Sequence, residues 1–85
     1  MRWKEVIDKF VSKQYGSGSN CMSTGEKLYS YNTCIGQWVR DVVYINTTKY
    51  SSTTTKLQNY LLFKTKNNSI EITDNIPKNQ LFLYG

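Results

Sequence analysis

The stretch YINTTKYSSTTTKLQNYLLFKTK, residues Tyr44–Lys66, is the most informative part of the chain because it predicts a helix that follows closely on a strand. Aliphatic and aromatic residues over Val42–Ile45 favour the strand. Residues 53–64 are predicted to form the helix, for which Ser51 or Ser52 offers an N-cap. The helical wheel directs one cluster toward the core, namely Thr54, Leu57, Tyr60 and Leu61. The opposite side carries Lys56, Asn59, Phe63 and Lys66.

The same stretch is basic, and no acidic residue occurs between Asp41 and Glu71. Its four lysines are Lys49, Lys56, Lys64 and Lys66. Lysines contact phosphate, hydroxyls and backbone amides at a helix start hydrogen-bond to it, and tyrosines stack on unpaired bases. The pattern therefore predicts a partner- or anion-binding surface. The candidate contacts are Lys49, Tyr50, Ser51, Thr53, Lys56, Phe63, Lys64 and Lys66.

A purely structural interpretation of these residues is equally explicit. The serine and threonine side chains would cap the helix, Tyr50 would pack beneath it as a staple-like residue, and the lysines would simply be solvated. No RNA-recognition, zinc-finger or other named nucleic-acid motif accompanies the basic residues. The sequence leaves both interpretations open.

The residues before this stretch favour an antiparallel β-meander. Strands are predicted over Leu28–Thr33, Cys34–Val39 and Val42–Ile45, after turn-forming residues at 23–26 and with Arg40-Asp41 as the last turn. The residues expected to contribute to the core are Trp38, Val39, Val42, Val43 and Ile45, whereas Tyr29 and Tyr31 are expected to share one strand face.

The N-terminal segment predicts an amphipathic helix over residues 2–14. Its apolar stripe consists of Trp3, Val6, Ile7, Phe10 and Val11. This face is expected to pack on the core, although a membrane-surface or partner helix is the alternative. Residues 15–20, YGSGSN, are predicted to form a flexible connection. They lack the Gly-Lys-Ser/Thr ending of a phosphate-binding loop.

The C-terminal part predicts one or two closing strands. Ser69–Thr73 alternates two isoleucines and favours a short strand, Pro77 interrupts the chain, and Leu81–Tyr84 is apolar enough for a last strand. With 85 residues there is room for one small domain, 1–85, and for no second one. The predicted fold class is α+β: an N-terminal amphipathic helix, a small antiparallel β-meander, a second helix, and one or two closing strands.

The sequence lacks the residue combinations that commonly catalyse reactions. Histidine is absent, so general acid–base chemistry near neutral pH lacks its usual residue, and neither Cys21 nor Cys34 can be paired with one. Two cysteines without histidine cannot complete a tetrahedral zinc site in a monomer. The sequence therefore predicts a non-enzyme with no catalytic residue, no metal site and no cofactor. Both thiols are expected to be reduced, with a disulfide left open for an oxidising compartment.

The charge balance bounds the partners. Eleven Lys and Arg residues against six Asp and Glu give a net charge of +5, which favours nucleic acid, anionic membrane or acidic protein surfaces. Only Arg2 and Arg40 carry the planar guanidinium suited to reading base edges, so general electrostatic attraction is favoured over sequence-specific readout. The first ten residues do not resemble a signal peptide, and no apolar run approaches the ~20 residues of a spanning helix. We expect a cytoplasmic protein without membrane partners.

At YSYNTCI (Tyr29–Ile35) and INTTKYSSTTTKLQ (Ile45–Gln58) the sequence resembles a family of small bacteriophage proteins. In that family a tyrosine-rich strand ending in Thr-x-Ile precedes a turn and an Asn-x-x-Lys-Tyr-Ser-x-Thr-Thr helix start. The matching positions are Tyr29, Tyr31, Thr33, Ile35, Asn46, Lys49, Tyr50, Ser51, Thr53, Thr54 and Gln58. Family members often have histidine before the glutamine, where this chain has Leu57. The resemblance implies a phage setting but no established activity.

Three functions are compatible with these features. The first is a small non-enzymatic phage binding protein that inhibits or modulates a host protein or nucleoprotein complex, for instance a defence complex in the manner of an anti-CRISPR protein. The second is an autonomous DNA- or RNA-binding module that uses its lysine and tyrosine surface. The third is a structural or self-assembling virion protein that pairs through a free sheet edge.

Overall fold

Two helices pack on one face of a six-stranded sheet in the computed structural model, which describes residues 1–85. The helices are α1 (Trp3–Val11) and α2 (Ser52–Lys64). The strands are β1 (Tyr15–Ser17), β2 (Cys21–Thr24), β3 (Lys27–Ser30), β4 (Thr33–Val39), β5 (Val42–Asn46) and β6 (Ser69–Thr73). The α+β class predicted from the sequence is confirmed.

The sheet keeps the order of the chain from β1 to β6. Each neighbouring pair from β1 to β5 is antiparallel and joined by a short turn. The last pair differs, since β6 runs parallel to β5 and the connection between them contains α2. Parallel neighbours need such a crossover because a tight turn can only reverse the chain. This topology places α2 across the sheet.

The core lies between the sheet and the two helices. Gly36 in β4 marks the contact: a Cβ atom at this position would come within 3.1 Å of both Phe10 and Leu61. Leu28 and Ile45 pair with Gly36 across the sheet and share its face. All four of these larger side chains are fully buried. A small residue in the central strand therefore lets α1 and α2 approach the sheet closely.

The C-terminal residues cross the opposite face of the sheet, without regular secondary structure. The side chain of Gln37 holds them: its Oε1 accepts from the backbone N–H groups of Leu83 and Tyr84 at 2.8 and 3.1 Å, and its Nε2 donates to the Tyr84 carbonyl at 3.0 Å. The rings of Tyr44 and Tyr84 lie 5.2 Å apart. One buried amide on β4 thus ties down the end of the chain.

Residues 15–20 are not the flexible linker that the sequence predicts. They contain β1 and the turn into β2, which form a hairpin at the edge of the sheet. A Cβ atom on Gly16 would lie 3.2 Å from the Lys9 side chain, and one on Gly18 would lie 2.7 Å from the backbone oxygen of Met1. The close approach of the Met1 backbone therefore requires glycine at position 18, whereas a larger residue at position 16 would only displace side chains slightly.

One helix and one strand are shorter than predicted. Helix α1 ends at Val11 rather than residue 14, and Lys13 adopts a left-handed φ of 59° in the turn that follows. Strand β3 ends at Ser30, because Tyr31 takes a φ of 56° in the turn before β4. Tyr31 therefore does not share a strand face with Tyr29, as the sequence predicts, and it is largely exposed.

The expected last strand over Leu81–Tyr84 is wrong. The segment makes no strand pairing, and Leu81, Phe82 and Tyr84 expose about half of their surface while the backbone is held by Gln37. By contrast β4, β5, the turn at Arg40-Asp41 and β6 are confirmed. Of the predicted core residues, Trp38, Val43 and Ile45 are buried, whereas Val39 and Val42 are half-buried beside the turn.

Candidate functional site

Helix α2 is capped by Ser51, one of the two N-cap residues that the sequence offers. Ser51 has an extended backbone and its Oγ accepts from the Thr54 N–H at 3.2 Å. The Thr54 hydroxyl is itself buried against the Ser30 hydroxyl at 2.9 Å, which fixes the helix start to β3. The cap leaves the N–H groups of Ser52 and Thr53 without partners within the helix.

A network of four residues, which we call the helix-start network, organises the loop before α2. It consists of Asn46, Thr48, Tyr50 and Gln58. Buried Asn46 donates through Nδ2 to the Cys34 carbonyl at 3.1 Å and to the Tyr50 hydroxyl at 2.9 Å, while its Oδ1 accepts from the Thr48 N–H. Gln58 donates to the carbonyls of Asn46 and Thr48 at 2.7 and 2.9 Å. These contacts connect β4, β5 and α2.

The hydroxyl of Tyr50 is fully used in this network. It donates to the carbonyl of Ile76 at 2.6 Å while accepting from Asn46. Tyr50 therefore joins the helix start to the chain after β6, and Ser51 acts as the cap. Of the two interpretations of the helix start, the structural one accounts for both of these side chains.

The remaining helix-start candidates line a pocket of about 770 Å³. Lys49 and Thr53 line it together with Tyr50 and Ser51, and the chain brings Lys78 and Asn79 to it, where the Asn79 N–H donates to the Thr33 hydroxyl at 2.8 Å. Tyr31, Asn32 and neighbouring hydroxyl residues also line the pocket, and no acidic residue does. We call it the helix-start pocket. The sequence indicated Lys49 and Thr53 but not Lys78.

Three aromatic rings form a continuous row over the surface shared by α1 and α2. The rings of Trp3 and Tyr60 meet edge to face with centroids 5.5 Å apart, and those of Tyr60 and Phe63 lie 6.4 Å apart. Phe63 is 61% exposed, while Trp3 and Tyr60 are half-buried. The row thus presents its most accessible ring at the C-terminal end of α2.

Three lysines surround this row. The Lys4 Nζ lies 5.5 Å from the ring centroids of both Trp3 and Tyr60, the Lys64 Nζ lies 5.9 Å from that of Tyr60, and the Lys66 Nζ lies 5.0 Å from that of Phe63. All are within the range of cation–π attraction. The six residues, which we call the aromatic–lysine face, are Trp3, Lys4, Tyr60, Phe63, Lys64 and Lys66.

One carboxylate accompanies the aromatic–lysine face. Asp8 accepts from the Tyr60 hydroxyl at 2.9 Å and lies 3.4 Å from the Lys64 Nζ. Desolvation of the hydroxyl, followed by its hydrogen bond to Asp8, raises the pKa of Tyr60 above its ordinary value. Asp8 therefore positions Tyr60 and pairs with Lys64, whereas Lys4 and Lys66 form no salt bridge.

The eight predicted contact residues divide between these surfaces. Lys49 and Thr53 lie in the helix-start pocket, where Tyr50 and Ser51 serve the fold, and Phe63, Lys64 and Lys66 belong to the aromatic–lysine face. Lys56 is exposed on α2 between them. The sequence missed the contribution of α1, namely Trp3 and Lys4, because the apolar stripe assigns Trp3 to the core and gives no information on what borders it.

The two cysteines are free and buried. Cys21 pairs with Ser30 and belongs to the core on the helix side, whereas Cys34 pairs with Tyr29 on the opposite face. Burial raises the pKa of the Cys34 thiol to about 11 and also raises that of Cys21. Both thiols are therefore protonated at neutral pH, unlike the thiolates of reactive cysteines. Their positions on opposite faces of the sheet prevent a disulfide between them.

The structure offers neither a metal site nor a membrane-spanning helix. No group of three or more Cys, His, Asp or Glu side chains is arranged to hold a metal ion. Neither helix has the length and apolar character needed to span a membrane.

The fold and its surfaces define a small α+β protein with a basic, aromatic exterior. Residues 6–77 match a family of unknown function, DUF8033, and the chain belongs to that family. Neither curated proteins nor solved structures provide a match.

Proposed function

We propose that the protein is a non-enzymatic binding protein that attaches to a nucleoprotein target and inhibits or modulates it. The observation that carries this proposal is the aromatic–lysine face, in which three contiguous rings and three lysines lie on one surface. Aromatic residues are enriched where proteins bind, and lysines supply attraction to phosphate. A nucleoprotein offers both a phosphate backbone and a protein wall.

The class of target is inferred from the resemblance to bacteriophage proteins. The resemblance to bacteriophage proteins favours a host nucleoprotein, and a defence complex is the target that a small phage protein would block by occupying its nucleic-acid groove. The net charge of +5 suits competition for such a groove. Protonated, buried thiols and the lack of histidine support binding rather than catalysis.

Affinity capture from host lysate tests the proposal. The 85-residue chain should retain a stoichiometric nucleoprotein, and the double variant Phe63→Ala with Lys66→Glu should lose it. Tyr15→Ala is the matched control, since Tyr15 is an equally exposed aromatic residue on β1, outside the aromatic–lysine face. Retention of the same partner by the double variant would refute the role of this face.

Self-assembly through the sheet edge is less well supported. Strands β1 and β6 are the two edges of the sheet, and at the β6 edge an antiparallel pairing of two copies centred on the middle residue would place one Glu71 directly opposite the other. Like charges in that position are destabilising. The edge thus carries a charge of the kind that discourages pairing.

A further inference from the structure

We propose that the aromatic–lysine face binds the unpaired bases of a single-stranded nucleic acid. The bases stack on Phe63, and the lysines of the face contact the phosphates. This inference rests on the proposed function and specifies which part of a nucleoprotein is contacted. Base stacking on aromatic side chains combined with backbone neutralisation is how single strands are held without sequence preference.

Phe63 is the stacking platform. The exposed ring has no polar group to hydrogen-bond, so its exposure to water brings the fold no compensating contact. Lys66 lies 5.0 Å from the ring centroid at the surface, on a flexible side chain that can move to a phosphate when a base takes its place. The ring and the charge are therefore matched to the two parts of a nucleotide.

The row of rings defines a path for the nucleic-acid strand across the protein surface. From Phe63 the rings continue to Tyr60 and Trp3 at centroid separations of 6.4 and 5.5 Å, with Lys64 and Lys4 alongside. A ring and a lysine recur together along this path, as bases and phosphates do along a strand. The arrangement fits a short run of nucleotides crossing from α2 to α1.

A single strand fits better than a duplex. In a duplex the base faces are stacked on each other and only the phosphates and groove edges are accessible, so an aromatic platform has nothing to stack on. Arginine is the commonest reader of base edges, and only lysines, not Arg2 or Arg40, lie over the rings of the aromatic–lysine face. We therefore expect weak dependence on base sequence.

An anionic membrane is the competing ligand for a surface of aromatic residues and lysines. Amphipathic membrane-binding helices bury a broad apolar face that includes leucines. Here Phe63 is the one large hydrophobic residue of the aromatic–lysine face that is mostly exposed, and Asp8 lies beside Lys64. The limited apolar area favours a nucleic-acid strand over a membrane, whereas the Asp8 carboxylate acts equally against both anionic ligands.

Fluorescence anisotropy with labelled oligonucleotides tests the inference. The 85-residue chain should bind unstructured oligo-dT or oligo-rU more tightly than a duplex of the same length. Phe63→Ala should weaken binding about 10-fold or more, as expected for the loss of one stacked base. Tyr15→Ala should leave the affinity within about two-fold, because removing a ring elsewhere changes no stacking contact. Circular dichroism would confirm that both variants fold.

The salt dependence provides a second measurement. Each phosphate contact on a single strand contributes about −0.7 to the slope of log affinity against log salt. The double variant Lys64→Ala with Lys66→Ala should therefore make the slope shallower by about one to one and a half. Lys78→Ala, which alters the helix-start pocket instead, should leave the slope unchanged.

The outcomes separate this inference from the proposed function. Tighter single-strand binding that depends on Phe63 supports it, with the dT and rU arms showing whether DNA or RNA is preferred. Equal binding of duplex, or equal affinities for Phe63→Ala and Tyr15→Ala, overturns it. Binding of phosphatidylglycerol vesicles without oligonucleotide binding also overturns it. If no oligonucleotide binds but a protein partner persists in nuclease-treated lysate and needs Phe63, only the proposed function survives.

Discussion

The two ends of helix α2 contain the same kinds of residue but use them differently. At its start, the polar groups of Asn46, Tyr50 and Gln58 are buried or half-buried and hydrogen-bonded to one another or to the backbone. At its end, Phe63 and Lys66 project into solvent. Tyrosine, lysine and hydroxyl side chains thus build the fold at one end and form a surface at the other.

The difference shows that residue type alone does not identify a binding site. A buried polar group must be hydrogen-bonded, so the Tyr50 hydroxyl and the Gln58 amide, which are bonded within the fold, are not available to a binding partner. An exposed ring that makes no essential contact within the fold is free to contact a partner. Mutation should therefore affect stability at the start of α2 and binding at its end.

The largest loss of stability is expected from Asn46→Ala. Asn46 is fully buried, and its removal would break the hydrogen bonds of its side chain with the Cys34 carbonyl, the Tyr50 hydroxyl and the Thr48 N–H. We expect the free energy of unfolding to fall by about 2–4 kcal/mol. Urea denaturation would measure it, with exposed Asn59→Ala as the matched control. A loss no larger than that of the control would break the contrast between the two ends.

The second effect concerns Cys34, whose carbonyl accepts from Asn46. Because burial raises the pKa of its thiol to about 11, the thiol is protonated in both folded and unfolded states below about pH 9. Between about pH 9 and 11 only the unfolded state ionises, so stability should fall by up to about 1.4 kcal/mol per pH unit. Urea denaturation across this range should show a shallower fall for Cys34→Ala. Identical slopes would contradict a buried, protonated thiol.

A smaller effect is expected at the cap itself. Ser51→Ala removes the side-chain oxygen that accepts from the Thr54 N–H, which should cost about 1 kcal/mol. The neighbouring Ser52→Ala provides the control, since Ser52 is exposed and caps nothing. Thermal denaturation should show a lower melting temperature for Ser51→Ala than for Ser52→Ala, as expected if Ser51 has a structural role. Equal melting temperatures would instead return its hydroxyl to the group of candidate ligands.

The smallest change in stability is expected for Phe63→Ala. The side chain is 61% exposed and its nearest ring neighbour is Tyr60, so the free energy of unfolding should change by less than about 0.5 kcal/mol. The same variant should show the largest loss in the binding assays. A marked destabilisation would make the ring a packing residue and remove the distinction between the two ends of α2.

Much of the fold could be predicted because local signals agree with the tertiary structure. The N-cap at Ser51 and the β-branched and aromatic residues of β4 and β5 are examples. The β1–β2 hairpin could not be predicted, since Gly16 and Gly18 indicate flexibility locally and their contacts with Lys9 and Met1 are visible only in three dimensions. The apolar C-terminal segment was misassigned because Gln37, forty-six residues from Leu83, replaces a strand partner.

The candidate site shows the same limit. The helical wheel correctly predicted that Phe63 faces outward, because that depends only on the period of α2. Lys66 is also exposed, but it lies in the turn after the helix ends at Lys64. The helical wheel could not place Trp3 and Lys4 next to them, since the crossing of two helices is set by packing on the sheet. Nor could it bring Lys78 to the helix-start pocket, which depends on the hydrogen bond from Asn79 to Thr33.

The chain-order arrangement of the sheet has a consequence for folding. From β1 to β5 each strand pairs with the one just before it, so these contacts close short loops with little loss of entropy. The pairing of β6 must wait for α2, and the bonds from Gln37 to Leu83 and Tyr84 close loops of 46 and 47 residues. We expect the meander to fold first and β6 with the C-terminal residues to open first. We therefore expect α2 to pack on the sheet late in folding. The ring of Trp3 on α1 would then meet those of Tyr60 and Phe63 on α2 only when folding is nearly complete.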